Sequence, residues 1–214
     1  MIAIIDYGVG NLFSLSSSLK YLGMDACVTG NAEDLRRADR IILPGVGAFG
    51  DAAEQLRATG LVPVIREEAA KGKPFLGICL GMQLLFEESF EYGRHEGLGL
   101  IPGGIYPMEE DLKAMGISLK VPQIGWNALD ICKADHPLMK YCKNGDFVYY
   151  VHSYYAKTAE ENLVATSDYG VRVPGAVARK NVFGCQFHPE KSGRVGLSIL
   201  KAFCEVPYEN LSGN

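Results

Sequence analysis

No run of lysine or arginine, no apolar stretch long enough to cross a bilayer and no C-x-x-C pair occurs in this sequence. Each absence removes a class of function. The basic residues are scattered and the formal net charge is -4 at pH 7, so there is no electrostatic footprint for nucleic acid. A membrane helix needs about 20 consecutive apolar residues. The apolar start from Met1 to Ile5 is interrupted at once by Asp6, without the basic beginning and longer apolar region of a secretory signal. The expectation is a cytoplasmic protein with neither a nucleic-acid nor a membrane partner. Six cysteines, Cys27, Cys79, Cys132, Cys142, Cys185 and Cys204, are dispersed over 214 residues, which fits reduced thiols rather than a disulfide framework or a zinc site. No cluster of residues implies a metal or an organic cofactor.

What is present is an ordinary globular composition, 48% hydrophobic and 21% charged, with no internal repeat, low-complexity tract or linker. Residues 1–214 therefore read as one domain. In the first half, short apolar runs alternate with helical spacing. Ile2 to Ile5, Ala26 to Val28, Arg40 to Leu43 and Pro74 to Ile78 read as strands. Helices are expected through Leu12, Leu15, Leu19 and Leu22, from a cap at Asn31 to Arg37, over Asp51 to Ala58 and over Val64 to Ala70. The second half is richer in strand signals, at Ile105 to Met108, Phe147 to Ala156, Leu163 to Ser167, Ala176 to Arg179 and Val182 to Phe187, before a closing helix over Val195 to Cys204. The expected fold is α/β, a mostly parallel central sheet with helices on both faces and an antiparallel β extension continuing that sheet.

The chemistry concentrates at Phe75-Leu76-Gly77-Ile78-Cys79-Leu80-Gly81-Met82-Gln83. A cysteine between an apolar strand and a helix, with glycines two positions away on either side, follows the logic of the G-x-S-x-G nucleophile elbow, with sulfur in place of oxygen. A helix opening at Leu80 would also favour the thiolate. The competing reading of Cys79 is a small buried hydrophobe. A base and an orienting group are available at His188-Pro189-Glu190, directly after an apolar strand. His188 there would move the proton and Glu190 would hold the imidazole; on its own the tripeptide is more often a solvated turn, and it is the cysteine motif that favours the catalytic reading. The Leu80 N–H and the Pro44-Gly45-Val46-Gly47 loop are candidate oxyanion donors, although the glycine loop also reads as a plain strand-to-helix turn. His95 and His136 have no such context and read as surface residues.

Pro44-Gly45-Val46-Gly47, Gly77-Ile78-Cys79-Leu80-Gly81-Met82-Gln83 and His188-Pro189-Glu190, in this order, resemble class I (triad) glutamine amidotransferases over almost the whole chain. Within that class, Ile5-Asp6-Tyr7-Gly8-Val9-Gly10-Asn11-Leu12, Gln123-Ile124-Gly125-Trp126-Asn127 and Tyr150-Val151-His152-Ser153-Tyr154 look like the glutaminase subunit of imidazole glycerol phosphate synthase. The resemblance implies hydrolysis of L-glutamine by Cys79, His188 and Glu190 through a γ-glutamyl thioester. It implies an oxyanion hole from Gly45, Val46, Gly47 and Leu80, and substrate contacts from Gly81, Gln83, Glu91, His152, Ser153 and Tyr154. It also implies a heterodimer in which a (β/α)8-barrel cyclase takes the ammonia for histidine biosynthesis, with Gly8, Asn11, Trp126, Asn127 and Lys191 on the partner side. In such subunits the Pro-Gly-Val-Gly segment stays unproductive until the cyclase binds its ligand. Gln83 also fits an unremarkable helix face, and Trp126, the single tryptophan, also fits ordinary core packing. Two other functions stand beside this one: a glutaminase subunit for another pathway, such as surface-sugar amidination, and a stand-alone γ-glutamyl cysteine hydrolase.

Overall fold

The computed structural model describes residues 1–208. The apolar runs of the first half form β1 (Ile2–Ile5), β2 (Ala26–Thr29), β3 (Arg40–Leu43) and β4 (Phe75–Ile78), joined through α1 (Leu12–Tyr21), α2 (Ala32–Arg37), α3 (Phe49–Ala58) and α4 (Val62–Ala70). Asn31 caps α2, its side-chain oxygen accepting the Glu33 N–H at 2.8 Å, as such residues do at helix starts. The helices α3 and α4 begin two residues before their apolar periodicity does. At α3 the extra turn buries Phe49, and at α4 it places a proline in the first turn, where its missing N–H costs nothing.

After the five-residue α5 (Leu80–Leu84) come β5 (Glu88–Ser89), β6 (His95–Glu96), β7 (Gly104–Pro107), α6 (Met108–Ala114), β8 (Gln123–Ala128) and β9 (Asp130–Ile131). The remainder is β10 (Phe147–His152), β11 (Tyr154–Lys157), β12 (Leu163–Asp168), β13 (Arg172–Arg179), β14 (Val182–Cys185) and α7 (Gly193–Glu205). Eight strands make the central sheet in the order β2-β1-β3-β4-β14-β13-β12-β9. It is parallel from β2 to β14 and antiparallel from β14 to β9.

Alternate residues of β1, β3 and β4 enter opposite cores, whereas the edge strand β2 leaves Val28 exposed. Ile2, Ile4, Ile42, Leu76 and Ile78 pack with Leu15 and Leu19 of α1 and Ile199, Leu200 and Phe203 of α7. Ala3, Ile5, Ile41, Leu43 and Phe75 face Leu35, Ala52, Leu56 and Ile65 of α2 to α4. Burial on both faces is why these strands read as unbroken apolar runs.

The expected antiparallel extension is present, but not every strand of the second half joins it. Only β9, β12, β13 and β14 belong to the central sheet; β10 pairs with β8 in a separate ribbon, and β11 joins β7, β5 and β6 in a third sheet. The single strand expected over Phe147 to Ala156 is therefore broken at Ser153, because its two halves find ladder partners in different sheets, and apolar alternation carries no partner identity. Met108 opens α6 instead of ending a strand; Glu109, Glu110 and Asp111 occupy the first turn, where carboxylates favour a helix. His95 and His136 are half-buried rather than on the surface. His95 lies over Gly50, and His136 sets its ring edge on Phe183 at 5.6 Å between centroids. Burial, with Lys133 nearby, pushes the His136 pKa down to about 4.

The entry to β4 is tied down by charge. Lys73 is buried, pairs with Glu68 at 2.5 Å and donates to the Leu35 and Arg36 carbonyls that end α2. Burial raises the Glu68 carboxyl pKa, but hydrogen bonds from Lys71 and Lys73 outweigh it and leave the group below its ordinary value. A depressed carboxyl stabilises the fold above its unfolded pKa and loses that contribution as pH falls through the folded value. Lys73→Met leaves Lys71 on Glu68 at 2.8 Å but removes the buried partner and the donor to the Leu35 and Arg36 carbonyls, and should cost about 1.5–3 kcal/mol, read as a lowered urea midpoint at pH 7 that converges toward the native protein's in acid.

Candidate active site

Cys79 follows β4 and caps α5 with φ 54° and ψ -111°, a left-handed backbone that a non-glycine residue adopts only under constraint. The constraint is packing. A Cβ on Gly77 would meet the Gly81 carbonyl oxygen at 2.6 Å and Met82 backbone atoms at 2.7 Å, and one on Gly81 would lie on the Leu43 carbonyl. Both glycines of the motif are thus required for α5 to sit directly on β4 and β3. The Cys79 N–H donates to the Cys185 carbonyl at 2.7 Å, locking the elbow to β14.

Sheet order does the rest. Since β4 lies between β3 and β14, the loops leaving those two strands flank the cysteine: Pro44 to Ala48 on one side, Gln186 to Glu190 on the other. His188 and Glu190, buried at their side chains, pair through Nδ1 and Oε1 at 2.8 Å. Burial lowers the His188 pKa, but interactions with the Cys79 sulfur and the Glu190 carboxylate more than reverse this and raise it to about 9. The sulfur also lies 3.9 Å from the Val151 carbonyl oxygen and accepts from Gln186 Nε2 at 3.9 Å.

A cavity of about 380 Å³ opens over Cys79, lined by Val46, Gly47, Leu80, Gln83, Glu91, Pro122, Val151, His152, Ser153, Tyr154, His188 and Lys191. Most residues singled out from the sequence meet there, at the break between β10 and β11. Gln83 donates through Nε2 to the Tyr154 carbonyl and to Gln186 Oε1, both at 3.0 Å. His152 is buried, and burial pushes its pKa down to about 4. The neutral ring donates from Nδ1 to the Tyr154 carbonyl at 2.9 Å and leaves Nε2 without a partner among the described residues.

Gly45 and Gly81 stand behind the cavity wall; a Cβ on Gly45 would meet the Gly81 nitrogen at 2.7 Å. Gly8, Asn11, Trp126 and Asn127 do not line it. Asn11 caps α1 through the Ser14 N–H, and Asn127 accepts from Gln123. Trp126 is 52% exposed on β8, edge-on to Tyr149, which removes the core-packing reading. Lys191, expected on the partner side, is exposed at the cavity.

Two residues escaped sequence reasoning. Gln186 touches the sulfur, and buried Tyr7 donates its hydroxyl to the Pro44 carbonyl at 2.8 Å. Position is a sequence signal for both, each just beyond the carboxyl end of a strand beside β4 or β3, and Tyr7 also belongs to the Ile5 to Leu12 segment that carries the resemblance, although neither signal assigns a role.

The class-I glutamine amidotransferase model matches residues 3–206. The chain belongs to this family. Among curated relatives it is 50% identical to the imidazole glycerol phosphate synthase subunit HisH of Caldanaerobacter subterraneus subsp. tengcongensis, over 96% of this chain and 98% of that one. It is 52% identical to the HisH subunit of a Bacillus cereus strain, over 95% and 93%, and 49% identical to that of Listeria monocytogenes, over 97% of each. Solved class-I amidotransferase folds are far more distant in sequence. A glutamine amidotransferase crystal structure superposes with a TM-score of 0.72 at 19% identity, covering 95% of this chain and all of that one. The glutaminase domain of Trypanosoma brucei CTPS, with bound acivicin, gives 0.65 at 18%, covering 98% and 95%.

This amidotransferase elbow has no room for a methyl group at its second glycine. Gly81→Ala should destabilise the protein by about 3 kcal/mol through backbone overpacking. Urea denaturation should show it, whereas Gly60→Ala, at a turn with nothing within 4 Å of the added carbon, should cost about 1 kcal/mol from its positive φ alone.

Proposed function

We propose that this chain, as one glutaminase domain over residues 1–214, hydrolyses L-glutamine and delivers the ammonia to a cyclase within imidazole glycerol phosphate synthase, serving histidine biosynthesis in the cytoplasm. The observation that carries the reading is the strained Cys79 elbow opposite the buried His188–Glu190 pair in one amino-acid-sized cavity.

The Cys79 sulfur attacks the side-chain amide carbon. The C–N bond breaks as His188 gives its proton to the departing nitrogen, leaving a γ-glutamyl thioester and ammonia. Water, deprotonated by His188, then attacks the thioester; the C–S bond breaks, and glutamate leaves. Glu190 holds the Nδ1 side of the ring and stabilises the imidazolium. The Leu80 N–H and an N–H of the Gly45, Val46 and Gly47 loop take the oxyanion. Glu91 faces the substrate ammonium, and Gly81, Gln83, His152, Ser153 and Tyr154 frame the rest. No step needs a metal or an organic cofactor.

The partner in this reading is a (β/α)8-barrel cyclase, and the outward face of the β8–β10 ribbon suits it. Ile124, Trp126 and Phe147 are all more than half exposed there, and Val151 of the same ribbon also lines the cavity. An apolar surface continuous with the site lets ammonia leave without meeting bulk water. Gly8 and Asn11, after β1, and Lys191, at the cavity mouth, complete the partner side.

Cys79→Ser should leave under 1% of glutaminase turnover in the complex with the cyclase, measured as glutamate released. Because His188 has a raised pKa, turnover should fall as pH rises through about 9, when the proton needed by the leaving group is lost. The same sign holds for stability: the contribution of His188 is complete below the ordinary histidine pKa near 6.5 and lost through about 9. Trp126→Ala should weaken cyclase binding about 30-fold, the roughly 2 kcal/mol of an aromatic hot spot, measured by calorimetry.

A further inference from the structure

The Pro44 to Ala48 loop is anchored at both ends by groups distant in sequence. At its start Tyr7 holds the Pro44 carbonyl, and Gly45 is wedged against the elbow. At its end the N–H of Phe49, the first residue of α3, donates to Glu91 Oε2 at 2.6 Å. That N–H is one of the donors a helix cannot satisfy internally, and Ala48 before it supplies no side-chain cap. The segment that carries Glu91 also presses His95 onto the same turn, where a Cβ on Gly50 would meet the ring at 2.7 Å. Between the anchors Val46 and Gly47 are exposed at the cavity, with Gly47 at φ 97°, so rotation is confined to the peptides that face Cys79.

Glu91 is itself buried and lines the cavity. Burial raises its carboxyl pKa, with the Phe49 N–H opposing; a buried carboxylate in a cavity wall calls for a cation. Phe49 engages one of its two acceptor oxygens. We propose that Glu91 is a positioning residue whose single carboxylate holds both the α-ammonium of bound glutamine and the far anchor of the oxyanion loop, so that seating the substrate sets the loop. This rests on the glutaminase reading and goes beyond an ammonium contact. A contact alone would change KM, whereas a shared anchor also changes kcat, because loop donors act on the transition state.

The test uses the full chain in complex with the cyclase and its ribonucleotide ligand. Replacing Phe49 by its α-hydroxy analogue, phenyllactic acid, turns one amide into an ester and deletes only the N–H. The ester also weakens the Ala48 carbonyl, which accepts from the Ala52 N–H at 3.1 Å; repeating it in a Glu91→Ala background subtracts that effect. In the native background kcat should fall at least fivefold, with the glutamine KM within twofold. In the Glu91→Ala background the ester should change kcat less than twofold. A substrate arm needs no variant: 4-carbamoylbutanoate, glutamine without its ammonium, should show kcat at least tenfold below glutamine in the native complex. An ester without effect on native kcat, an equal effect in both backgrounds, or undiminished kcat for the ammonium-free substrate overturns the proposal. A native complex with no glutaminase turnover refutes the functional reading itself.

Discussion

The structure depends on a close approach between three backbones. The chain leaves β4, turns at Cys79 through a left-handed conformation and re-enters as α5 in contact with β4 and with the end of β3. Side chains at 77 or 81 would separate these segments, and with them the cysteine from the loops on either side. Strain of this kind, of order 1–3 kcal/mol per residue, persists only where the surroundings hold it. Here the holding groups are the Gly77 and Gly81 contacts, the Cys79 N–H bond to Cys185 and the core beneath α5.

Electrostatics at the site follow from burial and neighbours acting in opposite directions. Burial lowers the pKa of both His152 and His188. His152, which has only a backbone carbonyl to favour its charge, stays neutral, whereas His188, between a sulfur and a buried carboxylate, keeps its proton to about pH 9. Two histidines lining one cavity thus take different protonation states. The Glu190 carboxylate can act on His188 because Pro189 sets the short turn between them and Oε1 reaches the ring at 2.8 Å.

The cavity is also a junction. Its floor comes from the central sheet, its wall from the β10–β11 break, and its rim from the loop between β3 and α3. One face of the same β10 strand is turned outward with Trp126 and Ile124 of β8. That outer face and the Cys79 sulfur are therefore separated by the thickness of one ribbon, with Val151 touching both. This arrangement suits a glutaminase whose product is consumed by a partner.

Much was legible from local pattern. The parallel strands, the caps, the elbow with its two glycines and the tripeptide of His188, Pro189 and Glu190 are features of neighbouring residues, and short-range sterics and apolar spacing specify them directly. The sequence also determined that a thiol, an imidazole and a carboxylate were available at Cys79, His188 and Glu190. Tertiary structure alone decided how they meet. The placement of β14 beside β4, joining residues about 100 apart, brings His188 to Cys79. Long-range pairing likewise splits Phe147 to Ala156 between two sheets, exposes Trp126, and recruits Tyr7 and Gln186, whose types and spacing do not reveal what they touch. Strand order and ladder partners depend on contacts between distant segments, and a side-chain period repeats identically whichever neighbour a strand finds.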